Sequence, residues 1–281
     1  MKKTNKSVLE IESNIRELFM LIPKLLDKSK IKTIFELGAR DCQNTTILHN
    51  EYPRSNVYAF ECNPDTLEEC RNRIKLLKRA ELIEKAVSNK NGKLTFYSID
   101  QSKSDKTSWS DGNPGASSIF KISKKYPNEK LIQKKITISS IKLSTFLKKN
   151  NVKNIDLLFM DIQGAELLAL RGLENSIKKV KIIHTEANFV AFYNKQALYG
   201  DIKKFLNNKG FFIYSVTNFT GPFADIVFVN SNYFNMQLIR IRELLLDILY
   251  AKVAYKVYSI AKEFKYYKTI MNTLRRVFKK I

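Results

Sequence analysis

Acidic side chains close several short apolar runs in this sequence of 281 residues. Glu61 ends the segment VYAFE, Asp161 follows IDLLFM, and Glu186 follows KIIHT. Apolar runs of this length are typical of buried strands, and ligands of open parallel sheets bind at the carboxyl ends of the strands. We therefore expect the three carboxylates to lie along one ligand-binding edge.

The turn after the first apolar run indicates what kind of ligand this edge accepts. Its sequence is IFELGARDC, in which Gly38 lets the backbone approach a ligand closely and Glu36 stands just before it. A dinucleotide site needs the spacing GxGxxG to seat a pyrophosphate, whereas Arg40 and Cys42 stand here where further glycines would be expected. Glu61 can accept both hydroxyls of a ribose. Together these residues favour a cofactor with a ribose and no phosphate.

The elements that must position these side chains follow from the spacing of the apolar runs. Helical patterns separate the runs, which predicts βαβ units and a mostly parallel sheet. The predicted strands are 31–37, 56–60, 81–87, 155–160, 181–185 and 211–216. The segment ADIVFVN then follows with only NFTGPF before it, so we predict a terminal antiparallel hairpin. This hairpin distinguishes the class I methyltransferase version of the Rossmann-like α/β fold from the all-parallel dinucleotide-binding version.

Three further segments surround this sheet. Residues 8–26 have the pattern of an amphipathic helix, and we predict an N-terminal helical cap over residues 1–30 before a core domain over 31–230. Residues 100–126 are rich in Ser, Gly, Asn and Lys and longer than an ordinary connection, which predicts a mobile substrate or lid loop. Residues 231–281 are predicted to form a basic amphipathic helical tail.

Composition limits the cellular setting. The formal net charge is +22, from 49 Lys and Arg against 27 Asp and Glu, so the surface attracts anionic partners such as nucleic acid, lipid or acidic glycan. A compositional bias of the genome is an alternative source of this charge. Three cysteines without a CxxC pair predict neither a disulfide framework nor a zinc site. The start lacks the apolar segment of a secretory signal, and no run reaches the roughly 18 apolar residues of a membrane span. We expect a cytoplasmic protein, at most peripheral to the inner membrane face.

The same segments, in the same order, resemble the FkbM family of methyltransferases. The matching segments are FELGARDC, FECNP, EKAVSNKNGKLTFY, GASSI, IDLLFMDIQGAELLALRG and HTEANF, all within residues 31–230. The most specific is DIQGAE at 161–166, where the family has Asp, an apolar residue, Glu or Gln, Gly, any residue and Glu. The resemblance implies S-adenosylmethionine as cofactor and O-methylation of sugars, glycans or polyketide-like hydroxyls.

The resemblance also implies roles for individual residues. It assigns Glu36, Gly38, Glu61, Asp161 and Glu166 to the cofactor site, and we predict that Ala86 and Ser118 belong to this site as well. Asp161 and Glu166 would lie on the methyl-donor side, and Ala86 belongs to the segment expected beside the adenine. Glu166 has a second interpretation as a capping residue, because it falls in the first turn of a predicted helix. The family has a further glycine near Cys42, so contacts to the methionine part of the cofactor are expected to differ here.

Methyl transfer to a hydroxyl is helped by a base that takes the hydroxyl proton. Asp161 is our first candidate for this base, with Glu186 and His184 behind it. His184 is also compatible with a core histidine, since strand alternation decides which way it points. Asp161 and Glu186 could instead hold a divalent cation through their oxygens. Two carboxylates are a weak metal signal, so no metal site is predicted.

We therefore predict an S-adenosylmethionine-dependent O-methyltransferase that acts on a hydroxyl of a sugar, glycan or lipid-linked saccharide. An RNA methyltransferase is the alternative that the positive charge suggests, although nucleic acid is the less expected partner because no nucleic-acid module is recognisable. A scaffold protein that binds the cofactor without turnover is a third alternative. The tail flanks its apolar stripe with Lys and Arg, which is typical of a helix in an anionic membrane interface. Packing on the domain, or pairing with a second copy in a homo-oligomer, predicts the same stripe.

Overall fold

The computed structural model describes residues 6–104, 111–126 and 130–247, together with Lys256. Within these ranges the helices are α1 (Lys6–Leu25), α2 (Gln43–Glu51), α3 (Leu67–Ile74), α4 (Leu143–Lys149), α5 (Glu166–Gly172), α6 (Tyr199–Asn207) and α7 (Met236–Asp247). The strands are β1 (Thr33–Leu37), β2 (Asn56–Phe60), β3 (Ala80–Ile83), β4 (Ala86–Val87), β5 (Gly92–Ile99), β6 (Gln133–Ile141), β7 (Ile155–Met160), β8 (Val180–Asn188), β9 (Phe211–Thr217) and β10 (Phe223–Asn230).

The central sheet positions the site. Its strand order is β3-β2-β1-β7-β8-β10-β9, with β1 paired in parallel to both β2 and β7. Strand β10 is antiparallel to both of its neighbours, β8 and β9, and the remaining pairs are parallel. The predicted mostly parallel sheet with a terminal antiparallel hairpin is therefore confirmed. Between β1 and β7 the strand order changes direction, and ligands of open sheets bind beyond such a point.

A second sheet of three strands, in the order β4-β6-β5, is absent from the sequence prediction. The run predicted as one strand over 81–87 is divided between the two sheets, because β3 joins the central sheet and β4 pairs with β6. The exposed residues Glu84 and Lys85 mark the division, where the Lys85 N–H donates to the Ile83 carbonyl across a three-residue turn. One continuous run in the sequence thus serves two sheets.

Helices cover both faces of the central sheet, as an α/β domain requires. On one face, the rings of Phe35, Phe60 and Phe146 pack with their centroids 5.0 to 5.6 Å apart. On the other face, Leu18 and Ile22 lie one helical turn apart on α1 and are fully buried against the sheet. The core therefore has two layers, and α1 closes the second.

The flanking segments agree in part with their predictions. The helix expected over residues 8–26 is present as α1. Helix α7 packs on β9 and buries Ile239 and Leu246. The rest of the predicted helical tail, residues 248–281 apart from Lys256, lies outside the described residues. No helix in the described part of the chain is long and apolar enough to cross a membrane.

Candidate active site

A cavity opens at the carboxyl edge of the central sheet, where β1, β2 and β7 end. With the solvent at its mouth, it encloses about 600 Å³ of space. The predicted cofactor residues that line this cavity are Gly38, Glu61, Ala86 and Asp161. The predicted cofactor residues that do not line it are Glu36, Ser118 and Glu166. Four of the predicted cofactor residues therefore line the cavity, and the other three lie behind its wall.

Gly38 brings the β1–α2 turn against the end of β7. Its φ is +84°, a conformation that L side chains rarely adopt, and a Cβ atom here would lie 1.9 Å from the carbonyl oxygen of Asp161. Glycine is therefore required both for backbone conformation and for space. Arg40 and Cys42 in the same turn also have positive φ values, 53° and 60°. Each left-handed residue costs about 1–2 kcal/mol, so the turn stores strain beside the cavity. Cys42 thus adopts the conformation that the family's glycine would favour.

Backbone groups of two turns hold Glu61 in place. Its Oε2 accepts the N–H of Arg40 at 2.7 Å, and its Oε1 accepts the N–H groups of Cys62 and Asn63, both at 2.7 Å. Burial raises the pKa of Glu61, while these three donors oppose the rise. A carboxylate has about four lone-pair positions and three are occupied, so Glu61 keeps capacity for one hydroxyl group in the cavity that it lines.

Glu36 supports the cofactor turn from behind and does not line the cavity. It is the last but one residue of β1, and strand alternation turns its side chain to the face opposite that of Leu37. There its Oε2 accepts the hydroxyl of Thr45 on α2. Burial raises the pKa of Glu36 well above its ordinary value. The structure thus shows Glu36 linking β1 to α2, and its direct contact with the cofactor stays a prediction.

Residues 111–126, in the segment predicted as a substrate or lid loop, form part of the cavity wall. Pro114, in a 3-10 turn over Pro114–Ala116, lines the cavity together with Ser117. The Oγ of Ser117 accepts the Nδ2 amide of Asn63 at 3.3 Å. Asn63 and Ser117 were missed as lining residues, although Asn63 follows Glu61 closely and Ser117 lies in the GASSI segment. Residues 105–110 of the segment lie outside the described part.

Three contacts tie this wall to the turns at the sheet edge. An ion pair joins Asp111 to Arg40, a cavity-lining residue that the sequence analysis did not assign to the site. Ser118 donates its hydroxyl to the backbone carbonyl of Gln163 at 2.7 Å. The hydroxyl of Tyr193 lies 2.7 Å from Gln163 Oε1 and 2.9 Å from the carbonyl of Ala116. Ser118 thus connects the wall to the DIQGAE turn instead of lining the cavity.

The DIQGAE turn holds its two carboxyl groups in different ways. Glu166 Oε1 accepts the N–H groups of Ile162 and Gly164 at 3.1 and 3.2 Å, so Glu166 caps the turn. Burial and the nearby charge of Asp161 raise the pKa of Glu166 to about 7. Asp161 is exposed to the cavity, and the Nε2 amide of Gln163 donates to its Oδ1 at 2.7 Å. Of the two, Asp161 is the carboxyl group available to a ligand.

The other two predicted base candidates lie on β8. The ring of His184 is buried and stacks on Phe159, with ring centroids 4.7 Å apart, and burial lowers the pKa of His184 to about 4. The geometry places His184 in the core, apart from the cavity lining. Glu186 is half-buried beside Asp225 of β10. Burial, together with the charges of Asp161 and Asp225, raises the pKa of Glu186 well above its ordinary value.

The alternative of a divalent cation gains no support from the side-chain arrangement. Among the residues that the structure describes, no group of three or more His, Cys, Asp or Glu side chains is placed to hold a metal ion.

The strand order, the antiparallel β10 and the cavity beyond β1 and β2 define the class of protein, a Rossmann-like class I methyltransferase. The family model of the methyltransferase FkbM domain matches residues 36–213. This match covers more than half of the chain, so the protein belongs to the FkbM methyltransferase family. The resemblance drawn from the DIQGAE and neighbouring segments is thereby confirmed.

Known proteins similar to this chain include two curated relatives. The chain is 26% identical to the 2-O-methyltransferase NoeI of Sinorhizobium fredii (strain NBRC 101917 / NGR234) over 181 residues. These aligned residues make up 63% of this chain and 69% of NoeI. The chain is 25% identical over 175 residues to Methyltransferase 1 of Beauveria bassiana (strain ARSEF 2860), covering 59% and 69%. Among solved structures, TrmK of M. capricolum, in complex with S-adenosyl-homocysteine, matches with a TM-score of 0.46 and 11% identity over 95% of this chain and 93% of that chain.

Proposed function

We propose that this protein transfers a methyl group from S-adenosylmethionine to a hydroxyl of a sugar, glycan or lipid-linked saccharide. The proposal depends on one observation: a single cavity joins Gly38 and Glu61 to Asp161, a carboxylate that can take a proton. Family membership supports methyl transfer. The name of the relative NoeI, a 2-O-methyltransferase, supports oxygen as the acceptor atom.

The cavity residues suit the parts of S-adenosylmethionine. The remaining acceptor position of Glu61 suits a ribose hydroxyl, and the apolar side chains of Phe60, Phe96 and Ile119 suit the adenine. Arg40 lines the same cavity and suits the carboxylate of the methionine part, because a guanidinium forms strong charge-assisted hydrogen bonds with carboxylates. The residues present therefore fit this cofactor along its whole length.

The chemistry assigned to this chain is alignment and proton removal. When bound, S-adenosylmethionine supplies a methyl group whose bond to the sulfonium breaks, with the electron pair left on sulfur, as the acceptor oxygen forms the new C–O bond. Asp161 takes the proton of the acceptor hydroxyl and passes it to solvent, and Gln163 holds Asp161 in position. A positioned base adds about 10²- to 10⁴-fold in rate. Alignment of the reacting groups supplies up to about 7–11 kcal/mol.

The proposal is tested by transfer of a tritium-labelled methyl group. The purified protein is incubated with labelled S-adenosylmethionine and with saccharide, lipid-linked saccharide and RNA fractions from the source cells. We expect label in a saccharide fraction, lost in Asp161→Asn. Label in RNA would support the alternative substrate. Binding of S-adenosylhomocysteine without label in any fraction would support the scaffold alternative.

We also propose that the C-terminal segment brings the protein to an anionic membrane surface, where a lipid-linked saccharide would be met. On α7, Ile241 and Leu244 are each 62% exposed and Leu245 is 48% exposed, on the side away from the buried Ile239. In the sequence, apolar positions flanked by Lys and Arg continue through residues 248–281. Each basic residue near an anionic surface adds about 1 kcal/mol of binding.

Vesicle flotation tests this surface. Vesicles of phosphatidylcholine with phosphatidylserine should bind the full chain, and binding should weaken as salt rises. The double variant Ile241→Ser with Leu244→Ser should bind less, whereas Leu76→Ser, at a residue 82% exposed elsewhere, should bind like the wild type. No binding of the wild type at low salt would favour packing of the tail on protein or pairing with a second copy.

A further inference from the structure

Three carboxyl groups lie side by side at the carboxyl edge of the sheet: Asp161, Glu186 and Asp225, here named the carboxyl row. Glu186 and Asp225 are directly opposite each other in the β8–β10 ladder, so their side chains share one face. Asp161 follows the end of β7, next to β8. The charges of Asp161 and Asp225 both act on Glu186. The row therefore extends from the cavity, through Asp161, to β10.

Helix α1 covers the sheet face on which the row lies. Leu18 of α1 packs in one cluster with Phe159 and Val227, which precede and follow the row on β7 and β10. Glu17, also on α1, is close enough for its charge to act on Asp225. The row is thus bordered by the first helix on one side and by the cavity on the other.

Buried polar atoms beside the row lack hydrogen-bond partners among the described residues. Asn188 is 2% exposed and donates its Nδ2 to Glu186 Oε1 at 3.1 Å, yet its Oδ1 accepts no hydrogen bond. The ring nitrogens of His184 are unpaired as well, but that ring stacks on Phe159 in the core and does not bear on a ligand at the row. An unpaired buried polar group costs about 1–3 kcal/mol, so such groups are normally paired with protein, water or ligand. Asn188 Oδ1, next to Glu186, therefore points to a polar ligand beside the row.

The charge of the row identifies the kind of ligand. The protein as a whole carries a net charge of +22, yet the charges that act on Glu186 and Asp225 are those of other carboxyl groups. These carboxyl groups already raise one another's pKa, so the negative charge of a phosphate placed among them would be disfavoured in the same way, and its lost hydration would not be compensated. Neutral hydroxyls, in contrast, donate hydrogen bonds to carboxyl oxygens. The row therefore favours an uncharged polyhydroxyl ligand over a polyanion.

We propose that the carboxyl row and Asn188 form the acceptor subsite and bind an uncharged saccharide through adjacent hydroxyls. This inference rests on the proposed methyl transfer. A hydroxyl next to the reacting one donates to Glu186 or Asp225, and Asn188 Oδ1 accepts a further hydroxyl. These bonds hold the reacting hydroxyl at Asp161, beside the methyl donor.

The test uses protein saturated with S-adenosylhomocysteine and saturation-transfer NMR. The probes are the methyl glycosides of mannose, fucose and N-acetylglucosamine, with mannose 6-phosphate as the charged counterpart of the first. We expect binding of a neutral glycoside and weaker binding of the phosphate. Asp225→Asn and Asn188→Ala should each weaken glycoside binding by about 10-fold or more and leave S-adenosylhomocysteine affinity unchanged. Glu81→Gln, at an exposed position on β3, is the control and should bind like the wild type.

The outcomes separate this inference from the proposed function. Failure of the folded wild type to bind S-adenosylhomocysteine would contradict the methyltransferase proposal itself. With that ligand bound, three results would each overturn the subsite: tighter binding of mannose 6-phosphate than of the mannoside, no binding of any glycoside, or glycoside binding that is indifferent to both substitutions.

Discussion

The proposed cofactor half and the proposed acceptor half of the site hold their carboxyl groups in opposite ways. In the cofactor half, Glu61 accepts three backbone N–H groups, all at 2.7 Å. In the acceptor half, Glu186 and Asp225 each receive one side-chain amide, from Asn188 and Asn218 respectively. The first arrangement is fixed by the main chain, and the second keeps unused hydrogen-bonding capacity.

This difference matches the two tasks. A site for a constant cofactor gains from groups that are already in place, because their ordering does not have to be repeated at each turnover. A site that removes a proton needs carboxyl groups whose protonation changes near the working pH. Burial and the charges of Asp161 and Glu17 raise the pKa of Asp225 to about 7, which brings the acceptor half into that range.

The largest effect is expected from Gly38→Ala, a substitution in the proposed cofactor half. The new Cβ would lie 1.9 Å from the Asp161 carbonyl oxygen, so the turn must move and Glu61 loses its alignment. Calorimetry should detect no binding of S-adenosylhomocysteine. Gly92→Ala is the matched control, because Gly92 also has a positive φ, +112°, but nothing lies within 4 Å of its added Cβ. Equal affinities of the two variants would mean that close approach at Gly38 is unimportant.

The next effect concerns the pH dependence of stability in the acceptor half. The pKa of Asp225 is raised from 3.8 to about 7 in the folded protein. Its contribution to stability is therefore complete below about pH 4 and is lost as the pH rises through about 7. An amide does not ionise, so Asp225→Asn should not show this loss. As the pH rises from about 4 to about 7, the free energy of unfolding of the wild type should fall by up to about 4 kcal/mol more than that of the variant.

Urea unfolding at a series of pH values measures this difference. Glu81→Gln, which replaces an exposed acid, should follow the wild-type curve. Parallel curves for Asp225→Asn and the wild type would show that Asp225 ionises in the folded protein as it does in the unfolded chain.

A smaller effect is expected from Asp161→Asn, at the boundary of the two halves. Methyl transfer to the labelled saccharide fraction should fall by about 10²-fold or more, because the base is lost. S-adenosylhomocysteine affinity should change little, since the amide keeps the size of the side chain. Loss of cofactor-product binding instead would assign Asp161 to the donor side and make Glu186 the base.

The sequence predicted the central sheet well because most of its strands are continuous apolar runs. It did not predict the second sheet, because β6 begins with the polar residues of QKKITISSI and gives a weak hydrophobic signal. The division of the run over 81–87 was also hidden, since a three-residue turn at Glu84 and Lys85 leaves no Gly or Pro as a mark.

The two halves of the site also differed in how far they could be predicted. Glu61 and Gly38 lie in local motifs at strand ends, so their placement followed from the order of the strands. The face of the sheet to which the Glu36 side chain points depends on its position in β1, because side chains alternate between the two faces. An error of one residue in the predicted strand therefore puts the side chain on the wrong face. The antiparallel register of β8 and β10 brings Asp225 and Asn188 to the proposed acceptor subsite, and no local pattern in the sequence specifies that register.

Calorimetric titration of S-adenosylhomocysteine into the wild type and Glu61→Gln tests the cofactor assignment most directly. The wild type should bind. In Glu61→Gln an amide faces three backbone N–H donors and cannot accept from all of them, so affinity should fall by about one to two decades. Asp225→Asn, in the other half, should bind like the wild type. Equal affinity of folded Glu61→Gln and wild type, or no binding by the wild type, would contradict the placement of the cofactor at this sheet edge.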